Sequence, residues 1–146
     1  MKASVVATIT IAASCEQVFK YLSHLKYHHL WNPHMQDIAS SGLVKPDMVY
    51  ETTHILLGVR LKAKNHVLKL VPDREFEVEN TTGSLDNHVN IRLTTRGKRT
   101  LVTCTTTVST RGEAFAFTKP VLKLLVRREL QSDLQSLKIA VEHGLS

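Results

Sequence analysis

The chain has 146 residues, enough to bury roughly 68–70% of the surface its unfolded form exposes, so neither a metal nor a disulfide is needed to hold a fold together. Apolar residues make up 42% of it and charged residues 22%, values that exclude a disordered chain and a membrane-spanning bundle. The net charge is +6, but Lys and Arg are scattered and no aromatic-and-basic strand could stack bases, so no nucleic-acid partner is expected.

The first element is a strand. Val5, Ala7, Ile9 and Ile11 share one face of an extended segment, with Val6, Thr8 and Thr10 on the other. The Thr residues interrupt the apolar run at a period of two, as a half-buried strand requires and a secretory leader does not. The segment is therefore expected to stay in the protein, with a cytoplasmic location and reduced thiols at Cys15 and Cys104. Ser14 and Gln17 form a Ser-x-x-Gln capping box that opens a short helix with Val18, Phe19 and Leu22 as its buried stripe. A second short helix follows and must end near Leu30 or Trp31, because Pro33 bars Asn32 from helical geometry. Trp31 is expected to plug one end of the core.

Strands are predicted over 35–40, 47–56, 59–71, 74–81, 86–96 and 99–110, with turn signals at Ser41-Gly42, Lys45-Pro46-Asp47, Leu57-Gly58, Pro72-Asp73, Thr82-Gly83-Ser84 and Arg96-Gly97-Lys98. Connections this short require antiparallel neighbours. Phe76 and Val78 alternate with Glu75, Glu77 and Glu79, and Val89, Ile91 and Leu93 with His88, Asn90 and Arg92, so one face of the sheet is dry. The 59–71 strand changes phase: Val59, Leu61 and Ala63 point one way, Leu68 and Leu70 the other. A bulge near Lys64, Asn65 and His66 would repair this and bend the sheet. A last helix starts near Thr118, carries Pro120 in its first turn and runs to about His143 before Gly144. Leu122, Leu125 or Val126, Leu130, Leu134, Leu137 and Val141 form its apolar stripe.

These elements describe an α+β domain, residues 1–146, in which a curved antiparallel sheet of about seven strands wraps around the long C-terminal helix, with two short helices after strand 1. A cavity between sheet and helix is a natural consequence. The opening strand, the helix at 14–22, the Trp31-Asn32-Pro33-His34 turn and the closing helix resemble the SRPBCC (START-like, Bet v 1-like) superfamily, in particular its polyketide cyclase/dehydrase-like branch. The resemblance spans nearly the whole chain and implies a helix-grip fold with an internal hydrophobic cavity. Its members bind lipids, sterols, plant hormones or polyketides, and some are cyclases or dehydratases; fold alone does not choose among these. No iron-ligand signature of the oxygenase branch is present.

Within the 47–56 strand, Met48, Tyr50, Thr52, His54 and Leu56 are taken as the inward row, so Tyr50 and His54 face the cavity together. His66 joins them if the bulge re-aims it, while His88 should point outward. Val59, Leu61, Val89, Ile91, Val102, Cys104, Leu122 and Leu125 are the expected walls. The reading is a binding protein for a small hydrophobic ligand, such as a fatty acid, lipid, quinone or polyketide. One alternative is a cyclase or dehydratase using Tyr50, His54 or His66 as acid and base. Another is an interaction module whose basic surface, from Arg60, Lys62, Lys64 and the cations of the last helix, meets a partner. His24, His28, His29 and His34 suggest metal or a pH-responsive entrance, but without a carboxylate or Cys at ligand spacing no metal is expected. No cofactor motif occurs. No stable membrane insertion is expected, and monomer and homodimer both stay open.

Overall fold

Alternating polarity in the first segment gives strand β1 (Lys2–Ile11), whose Ala3, Val5 and Ile11 are buried. In the structure, a computed structural model, residues 1–33, 35–36, 42–56, 59–83, 85–110 and 118–146 are described. Helix α1 (Cys15–Ser23) starts at the capping box: the Gln17 amide donates to Ser14 Oγ at 3.2 Å, and the Ser14 amide donates to Gln17 Oε1 at 3.0 Å. A 3₁₀ turn (Leu25–Tyr27) leads to α2 (His28–Trp31). Trp31 is buried there and its Nε1 donates to Tyr21 O at 3.0 Å, which satisfies the indole while its ring fills the core.

The sheet then runs through β2 (Met35–Gln36), β3 (Val49–Leu56), β4 (Val59–Val71), β5 (Glu75–Thr81), β6 (Leu85–Arg96) and β7 (Arg99–Thr110). Its order is β1-β7-β6-β5-β4-β3-β2, with every neighbouring pair antiparallel. Six strands are at least seven residues long and β2 has two. The predicted 35–40 strand is thus β2 as far as residue 36; residues 37–40 lie outside those described.

The bulge is real but displaced. Val67 faces Val78 and Lys69 faces Glu77, which leaves Leu68 as the extra residue. The inward row continues from Leu61 through Ala63, Asn65 and Val67, because Asn65 is fully buried rather than outward. Leu68 is pushed out to 42% exposure and Leu70 rejoins the core.

Helix α3 (Lys119–Glu142) carries Pro120 in its first turn. Its end is a Schellman motif: the Leu145 amide donates to Ala140 O at 2.9 Å, the Gly144 amide donates to Val141 O at 3.2 Å, and Gly144 takes φ +59°. Side chains pin this end. Tyr21 Oη donates to Leu145 O at 2.7 Å, Lys138 Nζ to Thr10 O at 2.7 Å, and the Ala12 amide to Glu142 Oε2 at 2.8 Å. Leu130, Leu134, Leu137 and Ala140 therefore pack in the main core, with α3 against β1, β7, α1 and α2. The helix is fixed along that side, and a space is left between it and the strands beyond.

Candidate functional site

That space is a cavity of about 310 Å³, bounded by α2, strands β2 to β7 and α3. Its size lies in the range of small-molecule sites, and most of its surface is apolar. Tyr50, His54, Leu61, Val89, Ile91, Cys104, Leu122 and Leu125 all stand in its wall. They converge because inward positions alternate along each strand and the register sets Tyr50 opposite Asn65, His54 opposite Leu61, and Ile91 opposite Cys104. On β3 the inward row includes Tyr50, Thr52 and His54 as expected, and Ile55 reaches the wall as well.

Two expected wall residues lie elsewhere. Val102 is fully buried but one pleat beyond Cys104, paired with Ile9 and Leu93 in the main core and not in the cavity lining. His66 points to the outer side of the sheet, its Nε2 2.8 Å from Asp47 Oδ1. The cause is the bulge at Leu68: it falls after His66 and leaves that side chain in the outward phase. The side chain of Val59 lies outside the described residues. His88 faces outward, as expected, with its Nε2 3.1 Å from Glu77 Oε1.

Beside Tyr50 and His54, the wall carries Asn80 and Asn87, which the sequence reading passed over, and Asn65 holds Asn80 from behind the wall. Asn65 Nδ2 donates to Tyr50 O at 3.1 Å and to Thr52 Oγ1 at 2.9 Å, and Asn80 Nδ2 donates to Asn65 Oδ1 at 2.6 Å. Asn80 lines the cavity beside Asn87, its cross-strand partner. The signal was available: Asn65, Asn80 and Asn87 fall in phase with the apolar rows of their strands, as Asp133 does with the stripe of α3. Polar residues in an apolar phase are the mark of a lined cavity.

The titratable groups are tuned mostly by burial. Asp133 is pushed up to about 8, by desolvation first and then by the charge of Glu129, which shares the wall. Burial also raises the Cys104 thiol to about 12 and holds the Tyr50 phenol above its ordinary value. His28 is buried between Trp31 and Phe76, with ring centroids 5.0 and 6.2 Å away, and desolvation lowers it to about 4. It therefore does not titrate near neutrality, which corrects the expected pH-responsive role for this member of the cluster. The 3₁₀ turn separates His24 from His28, so the two do not share a helix face; His24 Nδ1 sits 2.9 Å from Lys20 O. His34 lies outside the described residues. Among those described, no three His, Cys, Asp or Glu side chains are grouped to hold a metal ion. No described helix is long and apolar enough to cross a membrane.

Residues 2–142 match the family of polyketide cyclase/dehydrase and lipid transport proteins. The chain belongs to this family. Solved structures share its helix-grip fold. The Zhui aromatase/cyclase of Streptomyces sp. R1128 superposes with a TM-score of 0.82 at 17% identity, over 100% of this chain and 97% of that one. A START superfamily protein of Mycobacterium smegmatis gives 0.81 at 15% identity, over 97% and 98% of the two chains. A Thermus thermophilus protein gives 0.82 at 14% identity, over 98% and 99%. No curated protein matches the chain. Membership in the polyketide cyclase/dehydrase family supports a role in hydrophobic-ligand binding or polyketide cyclase chemistry.

Proposed function

We propose that this chain is one helix-grip domain that binds an apolar small molecule between the sheet and α3. The observation that carries this reading is the cavity itself, a space of about 310 Å³ with a mainly apolar wall. Apolar burial at roughly 25 cal/mol per Å² supplies the affinity, before the costs of binding are subtracted. Tyr50, His54 and the asparagines orient the polar part of the guest.

The experiment is a thermal-shift screen of apolar compounds. A ligand at a hundred times its Kd adds about 2.7 kcal/mol and raises Tm by several degrees in a domain of this size. Val89→Trp, which fills the space, should abolish the shift. A shift that survives this substitution in a folded variant places binding elsewhere and sinks the proposal.

A second reading, cyclase or dehydratase chemistry, is favoured by Asp133. A carboxyl near 8 in the cavity wall exists in both protonation states around neutrality, as a general acid or base must. Replacing Asp133 by Asn and Tyr50 by Phe tests it. Turnover of a polyketide substrate should collapse in an enzyme, while a carrier keeps its binding.

A further inference from the structure

Helix α3 is apolar on two sides over its first three turns. Leu122, Leu125 and Val126 turn into the cavity wall, while Val121 and Leu124, on the opposite side, are 44% and 46% exposed. The next outward positions, Gln131, Ser132 and Gln135, are polar and exposed, as on a helix face that meets only water. The apolar outward face is thus set at the start of the helix.

Charge gathers on the same turns. From Thr118 to Arg128 the chain carries Lys119, Lys123, Arg127 and Arg128 and no Asp or Glu. Among the described residues none of these four side chains is drawn into an ion pair, whereas Lys69, Arg92 and Lys138 each are. Glu129, the next residue, stands in the cavity wall. Asp86, beside the Leu85 that packs on this end of the helix, lies on the outer face of the sheet with Lys62 and Lys64.

The start of β1 joins this end of α3, because Leu122 packs with Ala3 and Val108. Met1 is 48% exposed there, and Lys2 is exposed beside it. The face therefore holds aliphatic area in water and positive charge without a counter-charge. One partner answers both: the boundary of a bilayer with anionic headgroups, which takes methyl groups among its acyl chains and sets its phosphates against ammonium and guanidinium groups. Nucleic acid offers the anions but nothing for Val121 and Leu124, and this face of α3 has no aromatic ring to stack on a base.

We propose that the first three turns of α3, with Met1 and Lys2 beside them, form a docking surface for an anionic lipid bilayer. The contact is reversible and superficial, since about ten residues of helix reach only about 15 Å and a few aliphatic side chains make a weak anchor. The turns that meet the bilayer are also turns that wall the cavity. Docking nevertheless stands apart from the cavity-binding reading, because it needs no guest.

The test is co-sedimentation of the full chain, with no ligand added, on phosphatidylcholine vesicles with and without phosphatidylserine. The chain should partition onto the phosphatidylserine vesicles, stay in solution with phosphatidylcholine alone, and leave the anionic vesicles as salt is raised. Arg127→Gln combined with Arg128→Gln should lower the partition coefficient roughly 25-fold, about fivefold per cation. Leu124→Ser should lower it severalfold. Lys62→Gln combined with Lys64→Gln, the same charge change on the outer face of the sheet, should leave docking as it is. Far-UV circular dichroism verifies that each variant is folded; if Leu124→Ser is not, the two charge pairs decide. Equal partition with both vesicles overturns the proposal. So does an equal loss from the two charge pairs, which would make the attraction a property of net charge. A chain that binds oligouridylate and ignores the vesicles overturns it in favour of nucleic acid.

Discussion

Asn65 and Asn80 face each other across β4 and β5, both buried, joined by a 2.6 Å bond from Asn80 Nδ2 to Asn65 Oδ1. Asn65 also serves Tyr50 O and Thr52 Oγ1, so a single amide ties β3, β4 and β5 together behind the cavity-lining Tyr50 and Asn80. Asn65→Ala removes three bonds and strands the Asn80 amide, and should cost about 2–3 kcal/mol. Urea denaturation measures this through the midpoint at unchanged m. A loss below about 0.5 kcal/mol, the scale of an ordinary surface substitution, would show that the relay is not structural.

Asp133 links the cavity to pH. Its carboxyl titrates near 8 in the folded chain against an ordinary 3.8. Between those values the folded state holds a proton that the unfolded state has released, so stability falls as pH rises from about 4 to about 8 and then levels off. Asp133→Asn escapes this penalty. The variant should melt higher than the parent at pH 8, by on the order of a few kcal/mol, and match it near pH 3. A difference independent of pH would assign the effect to packing and not to ionisation.

How far the sequence reading reached follows from what periodicity records. Strict alternation located β5, β6 and β7 to within a residue, and the capping box and Gly144 marked the ends of α1 and α3, because these signals are local. The bulge was placed near Lys64, Asn65 and His66 because the apolar phase changes somewhere between Ala63 and Leu68, and only the cross-strand contact with Asn80 shows that an amide continues the buried row at Asn65 and leaves the extra residue to Leu68. His28 escaped for the same reason. Its chemistry is set by Leu22 O and by two rings, one of them Phe76 from a distant part of the chain, which no spacing within residues 24–34 encodes.

The displaced bulge carries its own prediction. With His66 on the outer face, half exposed beside Asp47, the pair is worth little. His66→Ala should change stability by no more than about 0.5 kcal/mol and leave the affinity for any cavity ligand unaltered. His54→Ala, in the wall, should alter ligand selectivity. Parallel titrations of the two variants check this. Equal losses at both positions would mean that the inward row of β4 has been drawn in the wrong phase.

Helix α3, one wall of the cavity, is tied down at its C-terminal end, and Gly144 is part of that hold. Its φ of +59° is accessible to glycine at no steric cost and disfavours any side chain, although a Cβ there would meet nothing within 4 Å. Gly144→Ala should therefore destabilise the chain through backbone conformation alone, by about 1 kcal/mol. Gly83, also without a neighbour within 4 Å of a Cβ, has no positive φ and should accept Ala with little change. Thermal denaturation of the two variants separates the effects. A Gly144→Ala variant as stable as the parent would mean that Tyr21, Lys138 and Glu142 fix the helix end without the Schellman turn.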